Sequence, residues 1–170
     1  MSHPDVGSQG DWESLARNAA TGRGKDEAPI VLRELLVFDI AETPYAIPVE
    51  RVREIVRMRA LTPVPRVPDE VIGVIALRGE VVQVVDLRLF LGLEAREPGR
   101  STRIIVLHGD DDRVTGILVD AVREVVRIPE DDVRPASSGE TDAVLELFLG
   151  GDEFVSILDL DRVMELRGTH

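Results

Sequence analysis

Three histidines, His3, His108 and His170, are the side chains best suited to metal binding or proton transfer in this chain. They fall in a polar N-terminal stretch, in an apolar run and at the last position, so no two share the close spacing of a zinc-ligand pair. The acidic clusters 109-GDDDR-113 and 130-EDD-132 offer oxygen ligands. The first lacks the later Gly and Glu of a calcium loop, and both read as solvated turns. No GxSxG elbow, P-loop or GxGxxG fingerprint occurs. Carboxylates are plentiful, but no spacing sets two of them up for acid–base work. The residues point away from catalysis and imply neither cofactor nor metal. One side chain asks for another explanation. In 73-GVIALRGEVVQVVDLR-88, Arg78 interrupts a run of aliphatic and β-branched residues, and it must either reach a carboxylate or face water.

The totals narrow the field. The chain has 170 residues, with 20 Lys+Arg against 32 Asp+Glu and a formal net charge of −12. Such a surface repels phosphate backbones, and no basic stripe offsets it, which sets nucleic acid aside. Aromatic residues make up only 4% of the chain, too few for a base-stacking platform. No apolar run reaches the roughly 18 residues that span a bilayer, and the opening MSHPDVGSQG has no apolar signal-peptide core. Cysteine is absent, which removes disulfide and thiol chemistry. A cytoplasmic protein without direct membrane insertion is the expectation.

The elements that must carry Arg78 begin at about residue 30. Residues 1–29 read as a flexible tail rich in Gly, Asp and Ser. Within it, 11-DWESLARNAA-20 places Trp12, Leu15, Ala16 and Ala19 at helical spacing behind a candidate Asp11 cap. That short helix either docks on its own chain or, through Trp12 and Leu15, on a partner. From residue 30 onward, short apolar runs alternate with turn signals. They predict strands near 33–41, 44–49, 54–59, 71–78, 80–86, 102–108, 113–119, 123–128, 143–149 and 153–158. Short helices are expected at 87–92 and 159–166, and Pro63, Pro65 and Pro68 mark a bend.

An internal repeat organises these runs. Segment 49-VERVREIVRM-58 matches 119-VDAVREVVRI-128, and 81-VVQVVDLR-88 matches 154-FVSILDLD-161 with Asp86 opposite Asp159. Upstream, 37-VFDIAETPYAI-47 resembles 106-VLHGDDDRVTGIL-118. The chain is thus two copies of a five-stranded unit, at about 30–95 and 96–168. Each is small enough to be marginal alone, and the pair can bury a shared core. A mainly β fold of two barrels with a groove between them follows. The copies differ at the hairpin: LRGEV in the first becomes LGGDE in the second, and in this alignment Gly150 stands where Arg78 stands. The following Gly79 or Gly151 suits a turn with positive φ. Arg78 is therefore specific to one copy, either as an exposed turn residue or as an interface group.

These segments also resemble a known family. The run 72-IGVIALRGEVVQVVDLRLFLGL-93 is similar to the signature of the CheW family of chemotaxis coupling proteins, roughly I-x-G-V-x-N-L-R-G-x-x-x-P-V-x-D-L-R. The likeness extends over 45-YAIPVERVREIV-56, 61-LTPVPRVPDEVIG-73, 116-GILVDAVREVVRI-128 and 156-SILDLDRVM-164, with Ala76 and Gln83 replacing the usual Asn and Pro. The resemblance implies two five-stranded SH3-like or OB-like barrels with strands exchanged between the halves. It also implies a non-enzymatic adaptor that couples methyl-accepting chemoreceptors to the regulatory domain of a CheA-type histidine kinase, recruited to membrane-associated arrays. Receptor-facing positions of the family fall on Val52, Glu54, Gly73, Arg78 and Gly79, and a Glu54–Arg78 pair across neighbouring strands is expected. No motif picks out the kinase contacts. The alternatives are a small-ligand-binding β-barrel, which needs an enclosed apolar pocket, and a CheW-like scaffold in another receptor–kinase pathway such as surface motility.

Overall fold

The computed structural model describes residues 29–109, 114–137 and 142–166. The segment expected to form a helix at 11–20, with Trp12 and Leu15, lies outside them, as does the acidic turn at 110–113. Residues Met1–Val31 and Leu32–His170 separate into two units, and the account below concerns the second.

All ten expected strands are present: β1 (Leu32–Ile40), β2 (Thr43–Pro48), β3 (Val52–Arg57), β4 (Val71–Leu77), β5 (Glu80–Asp86), β6 (Arg103–Leu107), β7 (Val114–Val119), β8 (Ala121–Pro129), β10 (Val144–Gly150) and β11 (Glu153–Leu158). A two-residue strand, β9 (Arg134–Pro135), is additional. Both short helices form, α1 (Leu87–Phe90) and α2 (Leu160–Met164). The repeated aspartates start them: Asp86 accepts a hydrogen bond from the Arg88 N–H at 2.9 Å, and Asp159 from the Asp161 N–H at 3.1 Å. Each thereby satisfies a donor that the first helical turn leaves unpaired.

Neither sheet is built from one copy of the repeat. The five-stranded sheet runs β3-β6-β7-β5-β4, and the six-stranded sheet runs β8-β1-β2-β11-β10-β9. The first two strands of each copy have changed places. β1 and β2 lie among strands of the second copy, while β6 and β7 lie among those of the first. Four pairs join the copies: two parallel, β5 with β7 and β2 with β11, and two antiparallel, β3 with β6 and β1 with β8. We call the five-stranded sheet barrel 1 and the six-stranded sheet barrel 2.

Burial follows this topology. Ile75, Val82, Val84, Ile104 and Val106 fill barrel 1. Val37, Ala46, Phe148, Val155 and Ile157 fill barrel 2. The largest cluster takes Phe38, Ile40 and Ile47 from one sheet and Val85, Ile105 and Ile117 from the other, with Leu87, Leu160 and Val163 from the helices. This shared core is what lets two small units stand together. Each such side chain contributes on the order of 1.5–3 kcal/mol by leaving water.

Candidate functional site

Arg78 sits at the tip of the β4–β5 hairpin. The register pairs Leu77 with Glu80, leaving Arg78 and Gly79 as the two turn residues. Their φ angles are 52° and 82°, the two positive values that tight hairpins with native twist require. Gly79 has open space around it, so its requirement is conformational. Arginine in the left-handed region costs about 1 kcal/mol relative to glycine. Barrel stability therefore does not select it.

The strand facing this tip is bent to meet it. In β3, Val52 pairs with Leu107 and Glu54 with Val106, so Arg53 is an extra, bulged residue. In a regular strand, residues 53 and 54 would point to opposite faces; the bulge re-aims one of them. Both then reach the hairpin. Arg53 is ion-paired with Glu80, and Arg78 Nη1 donates to Glu54 Oε2 at 3.1 Å. The expected Glu54–Arg78 pair is thus formed. Its carboxylate is largely covered, at 17% exposure, while the arginine is 72% exposed. The guanidinium has donors left to offer outward. Arg53 holds the Glu80 carboxyl below the usual carboxylate range through their hydrogen bond.

Gly73 lies near the start of β4 and Val52 opens β3. Gly73, at φ 149°, lies where a Cβ would come within 2.7 Å of the Thr62 carbonyl oxygen. Thr62 exchanges two backbone hydrogen bonds with Val74, at 2.9 and 2.8 Å. The proline-containing segment is thereby laced onto the outer edge of β4. Val52 is half-buried against the shared core. The substitutions at Ala76 and Gln83 leave the hairpin intact. Ala76 is exposed and its carbonyl accepts from Arg59 at 3.4 Å. Gln83 donates to the Leu166 carbonyl at 2.6 Å, tying the end of α2 to barrel 1.

The second copy shows which of these contacts belong to the fold. β8 carries the same bulge, at Arg123 between Val122 and Glu124. Arg123 reaches Glu153 at 3.4 Å and Asp39 at 2.8 Å. Arg53–Glu80 therefore has a counterpart, Arg123–Glu153. Arg78 has none. The β10–β11 register pairs Gly150 with Glu153, so the first turn residue is Gly151, with φ 67°. The sequence alignment that set Gly150 against Arg78 is off by one: with two adjacent glycines, only the hydrogen-bond register tells which of them turns.

A further network was invisible in the sequence. Arg88, at the start of α1, grips Asp120 through Nε and Nη2 at 3.0 and 2.7 Å. Asp120 also accepts from the Ala41 N–H at 2.7 Å. Three chain segments from both barrels meet there, and no spacing in the sequence marks Arg88 and Asp120 as partners. Burial alone would push the Asp120 carboxyl up, but the hydrogen bonds from Arg88 and Ala41 outweigh it and hold it below its ordinary value. The neighbouring Asp86 is pushed up, by burial first and by the Asp120 charge as a lesser cause.

These features contain no catalytic constellation. Among the described residues no three His, Cys, Asp or Glu side chains are grouped to hold a metal ion. No described helix is long and apolar enough to cross a membrane. What the geometry offers is a strained, outward-facing arginine at a hairpin tip of barrel 1, anchored on a covered carboxylate. A family model described as the CheW-like domain matches residues 34–167.

The chain belongs to the CheW-like family.

It is 30% identical over 152 residues to "Chemotaxis protein CheW" of Helicobacter pylori, covering 88% of this chain and 91% of that protein. "Protein FrzA" of Myxococcus xanthus is 33% identical over 140 residues, covering 78% and 86%. The crystal structure of scaffolding protein TtCheW from Thermoanaerobacter tengcongensis superposes with a TM-score of 0.74 at 28% identity, covering 85% of this chain and 95% of that one. The exchanged double barrel is the family's fold, and the family is one of scaffolds and adaptors that are generally non-enzymatic.

Proposed function

We propose that this CheW-like protein is a non-enzymatic scaffold that couples chemoreceptors to a CheA-type histidine kinase, with the Glu54–Arg78 hairpin face as its receptor-binding element. The observation that carries the reading is the contrast within the molecule. An arginine is kept in a left-handed turn, mostly exposed and held by a covered glutamate, at the one hairpin of two where the fold has no need of it. Such strain persists where function gains from it. The pair's own contribution to stability is about 0–1 kcal/mol at this exposure, so its value lies in presenting a fixed cation. Val52, Gly73 and Gly79 complete the face: Gly73 and Gly79 shape its backbone, and Val52 supplies an apolar edge. The kinase is engaged by another surface, through its regulatory domain, and the complex is held at membrane-associated receptor arrays. The likeness to chemotaxis proteins supports this pathway. A relative that is not named for chemotaxis supports, as a second reading, the same scaffold in a different receptor–kinase system.

The reading is tested by charge reversal. Glu54→Arg, Arg78→Glu and the double exchange are compared for binding to receptor-containing membranes and for receptor-dependent kinase autophosphorylation. Each single variant is expected to lose at least tenfold in receptor affinity while the thermal midpoint stays within a few degrees, because the pair is worth little to the fold. The double exchange is expected to recover part of the loss. Unchanged coupling in both single variants overturns the assignment.

A further inference from the structure

The duplication contrasts a second pair of sites, away from the hairpins. In barrel 2, Arg127 of β8 lies directly opposite Glu34 of β1, and its Nε donates to the Glu34 carboxylate at 3.1 Å. In barrel 1 the same place is held by Arg57 of β3 opposite Arg103 of β6. Arg57 matches Arg127 within VERVREIVRM and VDAVREVVRI. Arg103 stands where Glu34 stands, three residues before the matched Val106 and Val37. Opposite charges across a strand pair stabilise it, and like charges directly opposite destabilise it. One copy thus keeps an attractive pair and the other a repulsive one on the same backbone. The fold does not ask for the second arginine.

A third cation joins these two. The turn before β6 is closed by Gly99 N–H donating to Thr102 Oγ1 at 2.8 Å and by Thr102 N–H donating to the Gly99 carbonyl at 3.3 Å. Arg103 Nη1 folds back onto it, donating to the Arg100 and Thr102 carbonyls at 2.7 and 2.8 Å. Arg57, Arg100 and Arg103 then line one cleft of about 450 Å³, whose wall is completed by Met58, Gly99 and Thr102. No carboxylate lines it. Among the described residues, no ion pair reaches any of the three arginines, although Arg33, Arg53, Arg88 and Arg127 all have one. In a chain with a net charge of −12, acids are plentiful everywhere but here. A guanidinium offers parallel donors that match the oxygens of an oxyanion. Three of them converging from two strands and a turn suit a compact dianion with three terminal oxygens. A long polyanion is repelled by the rest of the surface.

We propose that Arg57, Arg100 and Arg103 form an anion site for a phosphoryl group, which supplies the charge that Glu34 supplies in barrel 2. A small soluble phosphate ester and a lipid headgroup present that same chemistry. The site shares no residue with the Glu54–Arg78 face and holds whether or not Arg78 binds receptors.

The test uses the full chain and two probes. Inorganic phosphate is titrated at mildly alkaline pH and fixed ionic strength, with chloride as the anion it replaces, and backbone amide shifts are followed by NMR. Co-sedimentation compares vesicles of phosphatidylglycerol and phosphatidylcholine with vesicles of phosphatidylcholine alone. Both are run on the parent, Arg57→Gln, Arg100→Gln, Arg103→Glu and Arg162→Glu. The last is a control on α2 that changes the net charge as much as Arg103→Glu does. In the parent, saturable shifts confined to residues around the cleft are expected. Each glutamine variant should weaken binding about tenfold, as loss of a charge-assisted hydrogen bond implies. Arg103→Glu should abolish it, while Arg162→Glu should stay within about twofold because distant exposed charges are screened. Arg57 and Arg100 are exposed, so the glutamine variants decide the outcome even where Arg103→Glu folds poorly, which circular dichroism checks. Saturation by phosphate without vesicle binding assigns a soluble ester. Vesicle binding that the three site variants lose and Arg162→Glu keeps assigns a headgroup. Phosphate shifts that do not saturate, together with no vesicle binding, overturn the proposal. So does binding that both glutamine variants retain in full, since it would then be attraction to cations in general. Capture of poly-glutamate that phosphate cannot displace overturns it too, because the occupant would be an acidic protein segment.

Discussion

Barrel 1 and barrel 2 present the same bulged strand beside the same hairpin, yet they use it differently. Both keep a bulged arginine paired with a glutamate at the start of the next hairpin strand, Arg53 with Glu80 and Arg123 with Glu153. Only barrel 1 adds a second pair, Glu54 with Arg78; on barrel 2 the matching positions are Glu124 and Gly151. A contact that survives duplication in both places is explained by the fold. One that survives in a single place, against a backbone cost, calls for a reason outside the fold. The junctions between barrels differ in the same way. Arg88 holds Asp120 through two nitrogens, whereas at the matching corner Arg51 and Asp161 approach only to 3.8 Å, with Asp161 85% exposed.

The largest effect is expected at the stronger junction. Asp120→Asn should cost about 2 kcal/mol at neutral pH, because it strips a largely covered Arg88 of its carboxylate; Asp161→Asn should cost under about 0.5 kcal/mol. The sign with pH follows from the shifts. Asp120 is held below its ordinary value, so its stabilisation is present above the unfolded carboxylate range and is lost as pH falls through its folded pKa. Asp86 is raised, so its contribution runs the other way: present in acid and lost as pH rises through its folded pKa. Urea unfolding at several pH values should therefore show a shallower acid limb for Asp120→Asn than for the parent. Equal costs at the two junctions would break the contrast between them.

A smaller effect is expected on exchanging the hairpin residues. Arg78→Gly should raise stability by up to about 1 kcal/mol by relieving the left-handed turn, even after the added freedom of glycine in the unfolded chain. The reciprocal Gly151→Arg should lower stability by about as much. Receptor coupling is expected to fall with the first and not to appear on barrel 2 with the second. Loss of stability in Arg78→Gly would show that the arginine is structural after all.

The smallest effect separates the shared pairs. Arg53→Ala should cost under about 1 kcal/mol, and Arg123→Ala somewhat more, because it also leaves the largely covered Asp39 carboxylate without the partner it holds at 2.8 Å. Only Arg53→Ala is expected to weaken receptor binding, because Glu80 adjoins the tip that carries Arg78. Titration of receptor membranes against both variants measures this. Equal losses of affinity would remove the distinction between the two hairpins.

Much of this was legible along the chain. The ten main strands were readable because apolar alternation and turn residues are local signals; Asp86 and Asp159 stood out only as a repeated pair, and the structure makes them helix caps. The duplication was readable in VERVREIVRM and VDAVREVVRI. It contained Arg53 and Arg123 in register, although nothing in it named Glu80 or Glu153 as their partners. The exposure of Leu149 and Phe154 was hidden for a related reason: both look like ordinary core formers until the strand's inward and outward faces are known. Arg88 and Asp120 are 32 residues apart, and no local pattern marks them as partners.

The sequence by itself determined the elements, the double repeat, the absence of any recognisable catalytic or metal motif and the singularity of Arg78. Each of these is a property of nearest neighbours, of composition, or of one segment compared with another. The tertiary structure alone decided that β1 and β2 trade places with β6 and β7, that bulges at Arg53 and Arg123 turn consecutive side chains toward one hairpin, and that Gly151 is the residue opposite Arg78. Those depend on hydrogen-bond register and on which sheet faces close over one another. A one-residue slip along a strand moves every side chain to the other face, and the order of residues leaves that slip open until the strands have paired.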